Sequence, residues 1–294
     1  MPIIDDSFAE VSETFTVTLS NPTGANTGSP TTATINISDN ETTNGPNPIF
    51  NSPFFVRLQY LDFLSREPDP PGFNAWLNVL NTCSDVNNNP ACDRVLVSYS
   101  FFGSLEFQLK GFYVFRFYKA AFGRLPQYTE IVFDMRAVTG TTPLEVFQKK
   151  AGFANAFTQR QEFVNAFGNQ TNSQFVGALS GRYSLTEITT PDPANPDGTN
   201  KVTLTSTDLI SRLNAGTLTR AQVLRAIADS DQVFNADFNS AFVAMQYYGY
   251  LRRTPDDGGY QAWLNYLNAN PTDFRTMVNG FVYSGEYILR FGPQ

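Results

Sequence analysis

There is no histidine in this chain of 294 residues. That absence removes Ser-His-Asp and Cys-His catalysis and every imidazole-ligated metal together. A metal would have to be held by oxygen ligands, which points to calcium. Charge is also scarce. Only 16% of the residues are Asp, Glu, Lys or Arg, where about a quarter is usual. Asn, Thr, Ser and Gly fill the surface instead, a composition common in secreted bacterial proteins. The net charge is −7 and there is no run of Lys or Arg. A duplex-binding domain needs a basic face to displace counterions, so no nucleic-acid partner is expected. The same sign disfavours an anionic membrane surface. No stretch approaches the ~20 apolar residues of a membrane span. The start, "MPIIDDSFAE", lacks the basic residues and the apolar run of a signal peptide. A chain of exported composition without a leader reads as part of a longer precursor.

Cysteine is limited to Cys83 and Cys92, in the loop "CSDVNNNPAC". A zinc site would need two further strong ligands, which the missing histidines do not supply. A reactive thiol pair would need cationic neighbours, and neither cysteine has them in sequence. The expectation is a local disulfide, which implies an oxidising compartment.

What is abundant is apolar. The chain is 41% hydrophobic and 14% aromatic, enough for a sizeable core in one large domain or two ordinary ones. Residues 1–43 differ from the rest. In "ETFTVTLSNPTGANTGSPTTATINISDNE", Phe15, Val17 and Leu19 alternate with Thr16, Thr18 and Ser20. Ala33, Ile35 and Ile37 repeat the alternation, and "NPTGANTGSP" between them is turn chemistry. This predicts a β-hairpin. A lone hairpin is marginal in water and needs a sheet to join.

The stretch resembles the last strands of the Calx-β domain, a calcium-binding β-sandwich. It shares an acidic pair (Asp5, Asp6), two glutamates (Glu10, Glu13), "FTVTLSNPTGA", and a strand ending in Asp39. Asn40 interrupts the acidic run before Glu41. The resemblance covers only the C-terminal half of that domain. It implies calcium as a cofactor, with Asp5, Asp6, Glu10, Glu13 and Asp39 as ligands. It also implies that the other half comes from an upstream domain or another subunit, as in strand complementation.

Residues 44–53 form a linker of Asn, Gly and Pro. Beyond it the periodicity is helical and repeats. "FVRLQYLDFLSREPDPPGFNAWLNVLN" (55–81) returns as "FVAMQYYGYLRRTPDDGGYQAWLNYLN" (242–268). Phe55, Leu58, Leu61 and Leu64 space one apolar face. Asp69 is placed to cap a second helix with Pro70 at its first position. Phe73, Trp76, Leu77 and Leu80 then follow helical spacing. In the later copy Asp256 caps, and Tyr260, Trp263, Leu264 and Leu267 pack. A third helix follows each (Val95, Tyr99, Phe102; Phe274, Met277, Val278, Phe281), closing on "SLEF" (104–107) and "SGEY" (284–287). Two weaker copies lie between. One has "FYKAAFGRLP", with Gln127 in place of the capping Asp, and ends in "QEF". The other carries the irregular insertion "SLTEITTPDPANPDGTNKV" where the arginine–proline turn would be. Internal repetition at this period argues for stacked helical modules.

The units resemble the DUF4214 family, whose pattern is FVxxLYxxxLGRxPDxxGxxxW, a helix, then SxEF. The outer copies match well and the inner ones weakly. The resemblance implies a bacterial surface or secreted multidomain protein with no established enzymatic activity.

Chemistry in the repeated motif would rest on Arg66, Asp69, Arg253 and Asp256. General acid–base work needs two tunable groups facing one cleft, whereas both aspartates stand at helix caps. Trp76 and Trp263 could stack on a sugar, although their spacing suits a core. Asp192, Asp197 and Asn200 lack the spacing and closing glutamate of a calcium loop. The expected fold is therefore α+β: a β-hairpin over 1–43, a linker over 44–53, and a helical domain over 54–294. The domain divides into units at about 54–107, 114–163, 174–234 and 241–290. The expected function is a non-enzymatic extracellular structural or adhesive protein that assembles with itself or with an upstream domain, to the point of a fibre. The alternative is a calcium- or carbohydrate-binding module of a larger surface protein.

Overall fold

The computed structural model describes residues 6–10, 12–20, 22–41, 43–140, 142–194 and 200–293. The fold is α+β and mostly helical, with two small antiparallel sheets. Strands β1 (Glu13–Thr18) and β2 (Thr32–Ile37) pair with Phe15 opposite Ile35 and Val17 opposite Ala33. Because side chains alternate along a strand, Phe15, Val17, Ala33, Ile35 and Ile37 share one face. The threonines and Asn36 share the other. No side chain of either strand is buried. Among the described residues, the base of the hairpin is where it is tied to the helical domain. Ser7 N donates to the Phe291 carbonyl at 3.0 Å, and Gly45 N to Ser7 O at 2.9 Å.

The helical domain opens with α1 (Ser52–Gln59), which widens to π-helical bonding over Tyr60–Leu64. It continues through α2 (Pro70–Asn81) and α3 (Arg94–Phe102). The next helix is continuous from α4 (Leu105–Phe107) through a π segment to α5 (Tyr113–Phe122). Helices α6 (Tyr128–Ala137), α7 (Pro143–Phe157), α8 (Gln161–Phe167) and α9 (Asn172–Gly181) follow. Strands β3 (Glu187–Pro191) and β4 (Lys201–Thr205) form the second hairpin. Then come α10 (Ser206–Asn214), α11 (Arg220–Ala228) and α12 (Asp231–Gln246), the last running into a π segment over Tyr247–Leu251. The domain ends with α13 (Asp257–Ala269), α14 (Phe274–Val282) and α15 (Gly285–Ile288). Among the described residues no helix is long and apolar enough to cross a membrane.

Two expectations need correction. The insertion read as irregular is the β3–β4 hairpin. Ile188 and Leu204 pair across it and are buried, and Thr205 both ends β4 and caps α10. Nor do the units stack in a line. The third helices pair, α3 with α14 and α7 with α11, so the first unit meets the fourth and the second meets the third. The two equivalent π segments also meet. Phe63 lies 5.1 Å from Tyr250, and Phe63 also packs on Phe102 at 4.3 Å. Bulky buried rings at matching positions make one continuous core, which separate modules in a row would not share.

Candidate functional site

Four turns with the same geometry recur through the helical domain. Each unit's first helix ends on a left-handed residue: Ser65 (φ 54°), Gly123 (φ 70°), Ser184 (φ 53°) and Arg252 (φ 50°). Glycine adopts this conformation without strain, and other residues do so at a cost of about 1 kcal/mol. The residue after the turn is Arg66, Arg124, Leu185 and Arg253.

The three arginines make the same clamp. Arg66 Nε and Nη2 donate to Glu106 Oε1 and Oε2, both at 3.1 Å. Arg253 does so to Glu286 at 2.6 and 3.1 Å, and Arg124 to Glu162 at 3.0 and 2.8 Å. These glutamates are the acidic residues of "SLEF", "SGEY" and "QEF". Each guanidinium also lies about 5 Å over a tyrosine ring one helical turn and a half earlier (Tyr60, Tyr118, Tyr247). Arg66 and Arg253 each reach the capping aspartate at 3.3 Å. Asp69 accepts from Gly72 N at 2.9 Å, and Asp256 from Gly259 N at 2.8 Å. These amide bonds, with the arginine, hold both carboxyls below their ordinary range. In the second unit Gln127 and Glu130 form the cap, and Glu130 takes the arginine at 2.8 Å.

The third unit changes all three partners together. Leu179 stands in place of the tyrosine, Leu185 of the arginine, and Gln232 of the glutamate. Gln232 Oε1 instead accepts from Thr189 N of β3 at 2.9 Å. A lone Arg or Glu left there would lose its counter-charge; joint replacement avoids that. The clamp thus ties the turn of each unit to its closing helix, and in the first unit Arg66, Asp69 and Glu106 also line a cavity of about 680 Å³ with Lys110 and Lys149. Reading Arg66 and "SLEF" separately missed the pairing, although their joint loss in the third unit was visible.

Trp76 and Trp263 are half-buried against the third helices. They lie 5.8 Å from Phe101 at 40° and 5.9 Å from Phe281 at 42°. Cys83 and Cys92 form the expected disulfide, with Cα atoms 5.4 Å apart. Its loop docks on the fourth unit: Tyr283 Oη donates to Asn87 O at 3.3 Å, and Arg275 pairs with Asp93. Asp192 closes the β3–β4 loop, pairing its backbone N with Asn200 O at 2.9 Å and accepting from Ala194 N. Asp197 lies outside the described residues.

Of the expected calcium ligands, Asp5 lies outside the described residues. Asp6, Glu10, Glu13 and Asp39 sit at the base of the first hairpin. Asp39 is engaged with backbone, accepting from Glu10 N at 2.7 Å and Glu41 N at 3.3 Å. Asp6, with burial, Glu13 and Asp39, pushes the Glu10 carboxyl above its ordinary value. Among the described residues, no three acidic or thiol side chains are grouped as a metal site.

The inner pair of units holds a buried ionic cluster that the sequence reading overlooked. Lys150 Nζ lies 3.1 Å from Asp229 Oδ1, and Arg116 Nη2 lies 3.5 Å from it. Burial opposes ionisation of Asp229, but Lys150, Arg116 and Arg225 outweigh it and hold the carboxyl below its usual range.

A family profile described as a domain of unknown function, DUF4214, matches residues 233–291. That segment is the fourth unit, with Arg253, Asp256, Trp263 and Glu286 inside it. No curated protein and no solved structure matches the chain.

Proposed function

We propose that this is a non-enzymatic structural or adhesive protein of a bacterial surface, whose N-terminal hairpin joins β-structure of a neighbouring copy or an upstream domain. The observation that carries the reading is the uncovered hairpin. Val17 is 50% exposed and Leu19 66% exposed. Among the described residues, both strands lack a partner on their outer edges. A two-stranded sheet with a bare apolar face is marginal alone and is a template for pairing. The disulfide supports an oxidising, extracellular location. Light scattering and electron microscopy test the reading. The chain should assemble with rising concentration, and Val17→Lys with Ile35→Lys should abolish assembly while leaving helical circular dichroism intact. A chain that stays monomeric across that range would sink it.

The second reading is a calcium module. One observation favours it: the acidic crowding that raises Glu10 would be relieved by a cation. Melting with and without calcium tests it. A rise in Tm that is lost in Glu10→Gln supports calcium; an unchanged Tm removes it.

A further inference from the structure

The third unit departs from the repeat in two ways, and the second of them borders a cavity. It has lost the clamp, and its turn carries the β3–β4 hairpin. The loop that follows β3 is tied to α11, since Gln222 Nε2 donates to the Pro193 carbonyl at 3.0 Å. Pro193 thereby walls a cavity of about 460 Å³ between α7 and α11. Insertions in repeat folds commonly carry the binding face.

Arg225 lines this cavity. It is 6% exposed, and its guanidinium lies 3.6 Å from the centre of the Phe147 ring. Its Nη2 is buried without a hydrogen-bond partner. Asp229 is bonded to Lys150 and Arg116 instead. Asp237 is bonded by Tyr183 Oη at 2.6 Å, and burial raises its carboxyl above the usual range. Among the described residues, three buried cations therefore share Asp229 as their one firm counter-charge.

The outer pair treats the equivalent places differently. Arg225 stands five places before Ser230, and Lys150 ten places before Arg160, the residues that cap the closing turns. In the outer pair, five places before the cap stand Tyr99 and Asn279, and ten places before it Arg94 and Phe274. Tyr99 and Phe274 stack at 6.3 Å and 18°, and Arg94 is itself buried but donates to the Phe50 carbonyl and to Asn87. A buried guanidinium without an acceptor gives up its hydration for nothing in return. An anion would restore those bonds, and a carboxylate matches the guanidinium fork. The other walls show what the anion is attached to. Gln148 and Asn155 offer amides suited to hydroxyls, and Phe147 and Pro193 offer apolar surface.

We propose that this cavity binds a hydroxylated carboxylate of monosaccharide size, with its carboxylate on Arg225. The probe is D-galacturonate, with D-galactose lacking the charge and acetate lacking the body. Amide chemical shifts of the full chain are followed by NMR. Galacturonate should give saturable shifts confined to residues around Phe147, Pro193 and Arg225, and galactose should give none. Arg225→Met should weaken binding by about tenfold or more and leave the unliganded Tm unchanged or higher. Ala151→Leu narrows the cavity while keeping the guanidinium, and should lose the same binding. Absence of saturable shifts with galacturonate, or shifts that survive Arg225→Met, would overturn the proposal. Acetate binding as tightly as galacturonate would overturn the part assigned to the amides. A lower Tm for Arg225→Met would show a structural cation rather than a ligand group.

Discussion

Arg66 and Glu106 are joined by two parallel bonds of 3.1 Å, and Glu106 also holds Lys110 Nζ at 2.8 Å. Lys110 is 3% exposed. In the fourth unit Arg290 stands at that place and turns instead to Asp62 of the first unit, at 3.1 Å. The two glutamates therefore differ in what depends on them. Glu106→Gln strands a buried cation and should cost about 2 kcal/mol, discounted because Glu106 is a third exposed. Glu286→Gln breaks only a surface clamp and should cost about 1 kcal/mol or less. Urea denaturation of the two variants checks the order; equal losses would refute it.

Close approach sets a second contrast. A Cβ at Gly249 would overlap the ring of Phe63, which is fully buried. A Cβ at Gly259 would overlap Tyr247 Oη and press on the Asp256 carboxylate oxygens at 3.0 and 3.2 Å. Gly249→Ala should therefore cost about 2–3 kcal/mol. Gly259→Ala should be rescued by Tyr247→Phe, because the phenylalanine lacks the clashing oxygen and alanine favours the helix. Thermal melting of the single and double variants measures the rescue; a double variant no better than Gly259→Ala would count against this contact.

The disulfide closes a loop that docks Asn87 and Asp93 on α14. Replacing both cysteines by serine should lower stability by about 2–3 kcal/mol through loop-closure entropy. Chemical denaturation, oxidised against reduced, reads this directly.

Acid should act oppositely on the two ends of the molecule. Burial disfavours the charged forms of Asp229, Glu106 and Glu130, but their basic partners outweigh it and hold all three carboxyls low. Their contribution is present above the unfolded carboxylate values and is lost as pH falls through the folded ones. Glu10 is raised, chiefly by Asp6. Its contribution is present below the ordinary value of 4.5 and is lost as pH rises through the folded one. Between neutrality and about pH 4.5, amide protection at the hairpin base, taken as exchange relative to the unfolded-chain rate at the same pH, should rise. The helical core should weaken only below that. Lower protection at the Glu10 and Glu13 amides on acidification would contradict this.

Much of the architecture was legible because helix caps and strand alternation are local. The Asp69 and Asp256 caps, the alternation that makes residues 13–37 a hairpin, and the Cys83–Cys92 loop follow from neighbours in the chain. The β3–β4 hairpin was not legible, since Pro191, Pro193 and the surrounding Asn and Asp residues mask a short alternation at Ile188 and Leu204. Arg225 gave no signal either. A lone arginine at helical spacing looks like any surface cation until its neighbours are placed.

The chain alone determined that residues 66–81 and 253–268 would form the same turn and capped helix, because Asp, Gly and Trp at those spacings act within a few residues. It also determined that no histidine chemistry could occur. Only the tertiary structure decided that Arg66 closes on Glu106, 40 positions away, and that the units pair as first with fourth and second with third. It alone decided that Arg225 Nη2 is buried with no acceptor among the described residues. These depend on which helices pack together, and packing is set by the summed burial of rings across the whole core, which no local spacing encodes.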